Sequence, residues 1–242
     1  RVRERSLIME RNEKNRESGN VLFLILIAVA LFAALSYAVT QSSRSGGSGT
    51  DEESNLINSS VMTQYPAALR TAILRMSISG GVDATLIEFN PPSDSDNCQD
   101  FGADDEHSHC LFSPDGGGAT FQDGWVFNRN NQIDGIGSST GDDTPTAATG
   151  DLIAFFETSL GICEKVHDEL GLGDIPDYSA KTIDVSTQQV YDTSSGSIEP
   201  FSSGGDTIGS VSGTDDVLVG QPFGCFQEST DVYYYYHTLA ER

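Results

Sequence analysis

The sequence predicts an α+β chain with a membrane helix near its N-terminus, and three observations carry that expectation. Val21 to Val39 are nineteen consecutive residues without a charge, interrupted in polarity only by Ser36 and Tyr37. At 1.5 Å per residue this run makes a helix of roughly 28 Å, the thickness of a bilayer's hydrocarbon core and longer than a cleavable signal core. From about Ser54 an apolar residue recurs near every fourth position: Ile57, Val61, Tyr65, Leu69, Ile73 and Met76. Beyond Gly81 the pattern changes to short apolar runs punctuated by Gly, Asp, Ser and Asn, which is strand-and-loop grammar.

Charge divides the chain in the same place. The 242 residues carry a formal charge of −23. Residues 1–19 hold six basic and four acidic side chains, which leaves seven basic and 32 acidic residues beyond them, a charge of −25. The Lys/Arg excess stays cytoplasmic, so the topology expected is N-terminus inside and acidic portion outside. So negative a surface repels phosphate backbones, which argues against nucleic-acid binding and suits solubility in salt or contact with cations.

The domains expected in order are a basic leader (1–19), a transmembrane helix (20–40), a Gly/Ser hinge (41–50) and an extracytoplasmic acidic α+β domain (51–242). Gln41 to Thr50 reads QSSRSGGSGT, a flexible composition. The amphipathic helix that follows is expected to kink at Pro66, to stop at Gly80-Gly81, and to lay its stripe on an antiparallel sheet. Strands are expected at Thr85 to Phe89, Cys110 to Phe112, Trp125 to Phe127, Leu152 to Phe156, Ile183 to Val185, Val217 to Val219 and Tyr233 to Leu239. Ser159 to Leu170 reads as a second helix with Cys163, Val166 and Leu170 on one side and Gly171 at its end. In the last strand Tyr234 and Tyr236 face one way, Tyr233 and Tyr235 the other; one pair is expected in the core and the other as an aromatic surface.

All four cysteines, Cys98, Cys110, Cys163 and Cys225, lie in the outer portion, where disulfides persist. Four cysteines allow three connectivities. The short loop favours Cys98–Cys110, and Cys163–Cys225 follows by elimination.

Other constellations are weaker. Cys98, His107, His109 and Cys110 could ligate zinc, but their spacing matches no common zinc pattern. Asn128 to Gly135, NRNNQIDG, places oxygen side chains at alternate positions like a calcium loop, yet lacks the aspartate run and closing glutamate of an EF-hand, so an Asn/Gly turn is the plainer reading. Gly137 to Gly141 satisfies G-x-S-x-G, with His167 or His237 as nominal base, but the serine sits in a Gly/Ser/Asp loop and not at a strand-to-helix turn. No enzyme is expected. His107, His109 and His167 read as solvated positions, His237 as part of the last strand. Gln221 to Phe226 reads as a tight aromatic turn around Cys225.

The leader ends in Glu17-Ser18-Gly19 directly against the apolar run, and ESG-NVLFLILIAVALFAALSYAV resembles the N-terminus of a type IV pilin or type II secretion pseudopilin precursor. The resemblance covers about thirty residues. It implies cleavage between Gly19 and Asn20 by a prepilin peptidase, and a helix that stays attached to pack in a filament core. Partners implied are the membrane and copies of itself or other pilin-like subunits; the place implied is the bacterial inner membrane, with the C-terminal domain periplasmic or in an extracellular filament. Some pseudopilins bind calcium. The family usually has Phe or Met after the cut and Glu at the fifth mature position, where this chain has Asn20 and Leu24, and it usually continues the helix where this chain has its Gly/Ser stretch. Together with the YYYYH run, the chain also resembles a group of uncharacterised bacterial single-pass proteins, which supplies no activity. The expectation is a structural subunit of a pilin-like filament or secretion assembly; the alternative is a membrane-anchored binding module for a glycan or a cation.

Overall fold

The computed structural model describes residues 2–91, 108–137, 145, 150–192, 197–199, 205–211 and 214–242, with side chains described apart from 2–20, 38–51, 191–192, 197–199, 211 and 214–215. The chain folds as two compact units, Arg1–Glu53 and Ser54–Arg242.

The first unit belongs to helix α1, Val2–Gly80. Val21 to Tyr37 form seventeen described residues of this helix with every side chain exposed, Phe32 at 75%. Among the described residues no helix is long and apolar enough to cross a membrane. Seventeen residues make about 26 Å of helix, short of a 30 Å core, and the apolar run continues in the sequence through Val39. Helix α1 also passes through residues 41–50, where composition predicts a hinge. Gly46, Gly47 and Gly49 each cost roughly 1 kcal/mol there relative to alanine, so this is the intrinsically weakest stretch of α1.

The second unit begins with the rest of α1. Met62, Tyr65, Leu69, Ile73 and Met76 are buried, whereas Ile57 and Val61, expected in the same stripe, are 58% and 54% exposed. Ser59 is buried instead, its hydroxyl donating to the Leu56 carbonyl and to Glu169. The stripe thus follows a 59–62–65–69–73–76 path, shifted at its start from the strict fourth-residue spacing. Pro66 lies inside the helix. Gly81, at φ +68°, ends it in the left-handed conformation, as the Gly80-Gly81 pair predicts.

A four-stranded antiparallel sheet packs on this stripe. Its strands are β1 (Trp125–Asn128), β3 (Leu152–Thr158), β9 (Phe223–Ser229) and β10 (Val232–Ala240), in the order β1-β3-β10-β9. Shorter pieces make two-stranded ribbons: β2 (Gln132–Ile133) parallel to β6 (Thr207–Ile208), β4 (Val190–Asp192) against β5 (Ser197–Glu199), and β7 (Ser210–Val211) against β8 (Thr214–Asp215). Helix α2, Leu160–Leu170, buries Cys163, Val166 and His167 and ends at Gly171, φ +67°.

Three of the expected strands exist. Thr85 to Phe89 is a 3-10 turn (Ala84–Leu86) followed by a single bridge from Glu88 to Cys110, and Cys110 to Phe112 adds turns and main-chain hydrogen bonds to Glu88, Gly117 and Ala119 but no strand. Ile183 to Val185 and Val217 to Val219 form no strand: Asp184 main-chain groups bond to asparagine side chains, and the Val219 amide turns back to the Asp216 carbonyl. Conversely, the expected turn at 221–226 is the start of β9. Gly224 sits within the strand because a Cβ there would meet Leu218 Cδ2 at 2.7 Å, so it marks a close approach and not a reversal.

Both faces of the sheet are covered. Leu152, Ala154 and Tyr235 join Trp125, Phe127, Cys163, Val166 and the α1 stripe in one apolar cluster. Ile153, Phe155 and Tyr236 point the other way, into Ile133, Tyr178, Ile183, Ile208, Leu218 and Phe226. The period-two alternation of LIAF and YYYY therefore feeds two cores. Tyr235 and Tyr236 are both fully buried, and Tyr233 and Tyr234 half-buried, so no tyrosine pair is left as an open aromatic surface.

Candidate functional site

The most unusual chemistry in the head is a layer of fully buried polar side chains beside the second core. Asn128, Asn130, Asn131, Gln132, Asp151, Gln189 and Thr207 are each exposed by 1% or less. They come from the NRNNQIDG loop, from the residue just before Leu152, and from the segments around residues 184–189 and 206–207. Asn131 sits at the centre: its Oδ1 accepts from the Asp184 amide (2.9 Å) and the Asp206 amide (3.3 Å), while its Nδ2 donates to the Asp184 carbonyl (2.8 Å). Asn128 donates to the carbonyls of Asp184 and Thr187, and its Oδ1 accepts the Asn130 amide. Asn130 Nδ2 reaches Asp184 Oδ2 at 2.7 Å. Asp184 Oδ1 receives the amides of Ser186 and Thr187, and Lys181 joins Asp206 Oδ1 (3.0 Å) to the Thr207 carbonyl (2.6 Å).

These hydrogen bonds decide what the layer does. A cation needs oxygen lone pairs turned inward, but here the oxygens of Asn128, Asn131, Asp184 and Asp206 face N–H donors. The pKa of Asp184 is lowered despite burial, because amide and side-chain donors offset desolvation; the same balance, with Lys181, lowers that of Asp206. Among the described residues no group of three or more His, Cys, Asp and Glu side chains could hold a metal. The layer is a hydrogen-bond staple for loops.

Asp151 is the exception in its electrostatics. Its oxygens accept the amides of Ile133 and Arg242, both at 2.9 Å, yet complete burial pushes its pKa up to about 6.

The predicted site residues are placed as follows. Cys163 on α2 is bonded to Cys225 on β9, as elimination predicts, across 62 positions of sequence. Cys110 is disulfide-bonded; Cys98 lies outside the described residues, as do His107 and Ser138 to Gly141. Gly19 and Asn20 fall within α1, without described side chains. His109 is half-buried. His167, expected in solvent, is buried beside the disulfide: Nδ1 lies 3.0 Å from the Gly173 carbonyl, and Nε2 lies 3.0 Å from the Cys225 carbonyl and 3.2 Å from the Cys225 amide. The core-facing side of α2 is thus wider than the apolar residues alone suggest.

His237 lies in β10 as predicted, 7% exposed, with Nδ1 2.9 Å from the Tyr235 hydroxyl and its ring stacked on Phe223. Burial, helped by the charge of Arg70, presses its pKa down to about 4. A neutral imidazole sealed in this way suits packing, not proton transfer to a substrate.

Sequence reasoning missed a groove of about 530 Å³ between α1 and residues 117–122. Val61, Ala68, Ala72 and Gly118 line it; Arg75 donates to the Gly117 carbonyl and Tyr65 to that of Thr120. Exposed Val61, on the flank of the buried stripe one turn before Tyr65, lies in this groove.

No family model, no curated protein and no solved structure matches the chain.

Proposed function

We propose that the chain is a non-catalytic structural subunit of a pilin-like or pseudopilin-like assembly, held in a bacterial inner membrane by Val21 to Val39 with its acidic head outside the cytoplasm. One observation carries the reading. A single helix, α1, bears both a run of exposed apolar side chains at 21–37 and the buried stripe on which an antiparallel sheet is built. A simple anchor needs only the first feature; a subunit whose helix must hold the head and also pack in a filament needs both. The internally committed polar layer supports a scaffold over the binding-module alternative, because the oxygens a cation would need are already bonded.

Processing between Gly19 and Asn20 tests this reading. N-terminal sequencing and intact mass of membrane-extracted protein are expected to give Asn20 as the first residue; mature protein that retains residues before Gly19 overturns it. Full-length protein in detergent is also expected to form higher-order species that increase with calcium, because the acidic heads repel within a screening length of about 8 Å at physiological salt. A chain starting at Asp51 stays monomeric.

A further inference from the structure

The groove between α1 and residues 117–122 differs from the rest of the head in charge. Residues 54–82 contain no aspartate or glutamate, although the chain beyond residue 19 carries 32 acidic residues against seven basic ones. None of the side chains lining the groove is acidic, and the single charged one is Arg75. Arg75 is exposed, donates to the Gly117 carbonyl, and among the described residues pairs with no carboxylate. Val61, 54% exposed, lines the groove with Ala68 and Ala72 as its apolar part. From Val61 to Arg75 the groove runs about 21 Å along α1. What fits it is an apolar ridge that also carries an anionic group.

The chain has such a ridge on α2. Leu160, Glu164 and Asp168 follow one another at single-turn spacing, all exposed, with Leu160 at 42%. Among the described residues neither carboxylate meets a cation. The ridge is about 12 Å long, within the length of the groove. It lies toward the other edge of the sheet: α2 is tied to edge strand β9 by Cys163–Cys225, whereas residues 117–122 run toward edge strand β1, where Tyr65 packs on Trp125 with ring centroids 5.3 Å apart. Helix α1 separates the two, since Ser59 meets Glu169 of α2 and Val61 lies about 200° around the helix from Ser59. One copy cannot close its own ridge into its own groove, but a neighbour can, and joining two different patches leaves a groove and a ridge open to extend the row.

We propose that α2 of one copy docks in the α1 groove of the next, with Leu160 against Val61 and Ala68 and with Glu164 and Asp168 facing Arg75. This inference rests on the assembly reading above and names the contact between heads. A rim charge pair on a small apolar patch is weak by itself, so the contact forms where the membrane helices hold the heads at high local concentration.

The test is a charge swap in the full-length chain in detergent, at fixed calcium and ionic strength, with the concentration at which higher-order species appear read by light scattering. Arg75→Glu, and separately Glu164→Arg with Asp168→Arg, are each expected to raise that concentration about tenfold, and the triple variant to return it toward the wild-type value. Either half of the swap assembling like the wild type, or a triple variant no better than the halves, overturns the proposal and leaves the assembly reading in place. Wild-type chain that forms no higher-order species overturns both. Should Arg75→Glu fail to fold, p-benzoylphenylalanine at position 61 decides, in a mixture of isotope-labelled and unlabelled chains: after irradiation, an adduct between copies that maps to residues 160–170 supports the contact, and adducts only elsewhere, or none, overturn it.

Discussion

The two faces of the sheet are covered by different materials, and the difference follows from what each covering must do with its own backbone. On one face α1 and α2 supply the cover. A helix satisfies its internal N–H and C=O groups itself, so it needs only apolar side chains toward the sheet, and Met62, Leu69, Ile73, Met76 and Val166 provide them. On the other face the cover is loops and two-residue ribbons whose amides and carbonyls have few ladder partners. Buried Asn128, Asn131 and Gln189, with half-buried Asp184, take the place of those partners. Gln189, for example, donates to the Ile87 carbonyl at 2.7 Å.

The largest effect that would sharpen this contrast lies on the helix face. Removing the Cys163–Cys225 bond with paired alanines should cost about 4 kcal/mol, the chain-entropy value for a crosslink spanning 62 residues, read from the urea midpoint. A cost below about 1 kcal/mol would show that α2 is held by apolar contact alone.

Next come single core replacements, which should respond oppositely on the two faces. Leu69→Ala should cost about 3 kcal/mol and Leu69→Met less than about 1.5, because the helix face asks only for volume. Asn131→Leu, of similar size to asparagine, should cost about 3 kcal/mol, since the amides of Asp184 and Asp206 lose their acceptor. Tolerance of Asn131→Leu would break the comparison.

The pH profile offers a comparable effect with opposite signs. His237 has a folded pKa of about 4, below the usual 6.5, so its contribution is present above pH 6.5 and is lost as pH falls toward 4. Asp151 has a folded pKa of about 6, above 3.8, so its contribution is present below pH 3.8 and is lost as pH rises through 6. Each is worth up to about 3 kcal/mol. His237→Phe should flatten the loss of stability on acidification and Asp151→Asn the loss on raising the pH, as chemical denaturation between pH 4 and 7 would show. Identical profiles in both variants would contradict these assignments.

The smallest effect is expected at the surface. Arg70→Ala breaks a pair with Glu241 whose side chains are 38% and 46% exposed, and should change stability by no more than about 0.5 kcal/mol.

The helix face was legible in the sequence because its rules are periodic: the α1 stripe, the αL glycines at 81 and 171, and the alternation in β3 and β10 all announce themselves. Even there the pattern misled where packing intervened, at exposed Ile57 and Val61 and at buried His167. The loop face was mostly illegible. Asn128 to Gly135 has the composition of a solvated turn, and only the fold reveals that its amides close hydrogen bonds with segments more than fifty residues away. Period-two reasoning also presumed one wet face for β10, so two buried tyrosines on opposite faces were not foreseen.

Hydrogen exchange under native conditions tests most directly whether the loop layer is a genuine second half of the core. The Ile133 amide, bonded to Asp151, and the Asp184 amide, bonded to Asn131, should exchange as slowly as those of β3 and β10, through global unfolding. Exchange of these two amides orders of magnitude faster than the strands would show that the polar layer opens on its own, and that the sheet has one structural face and not two.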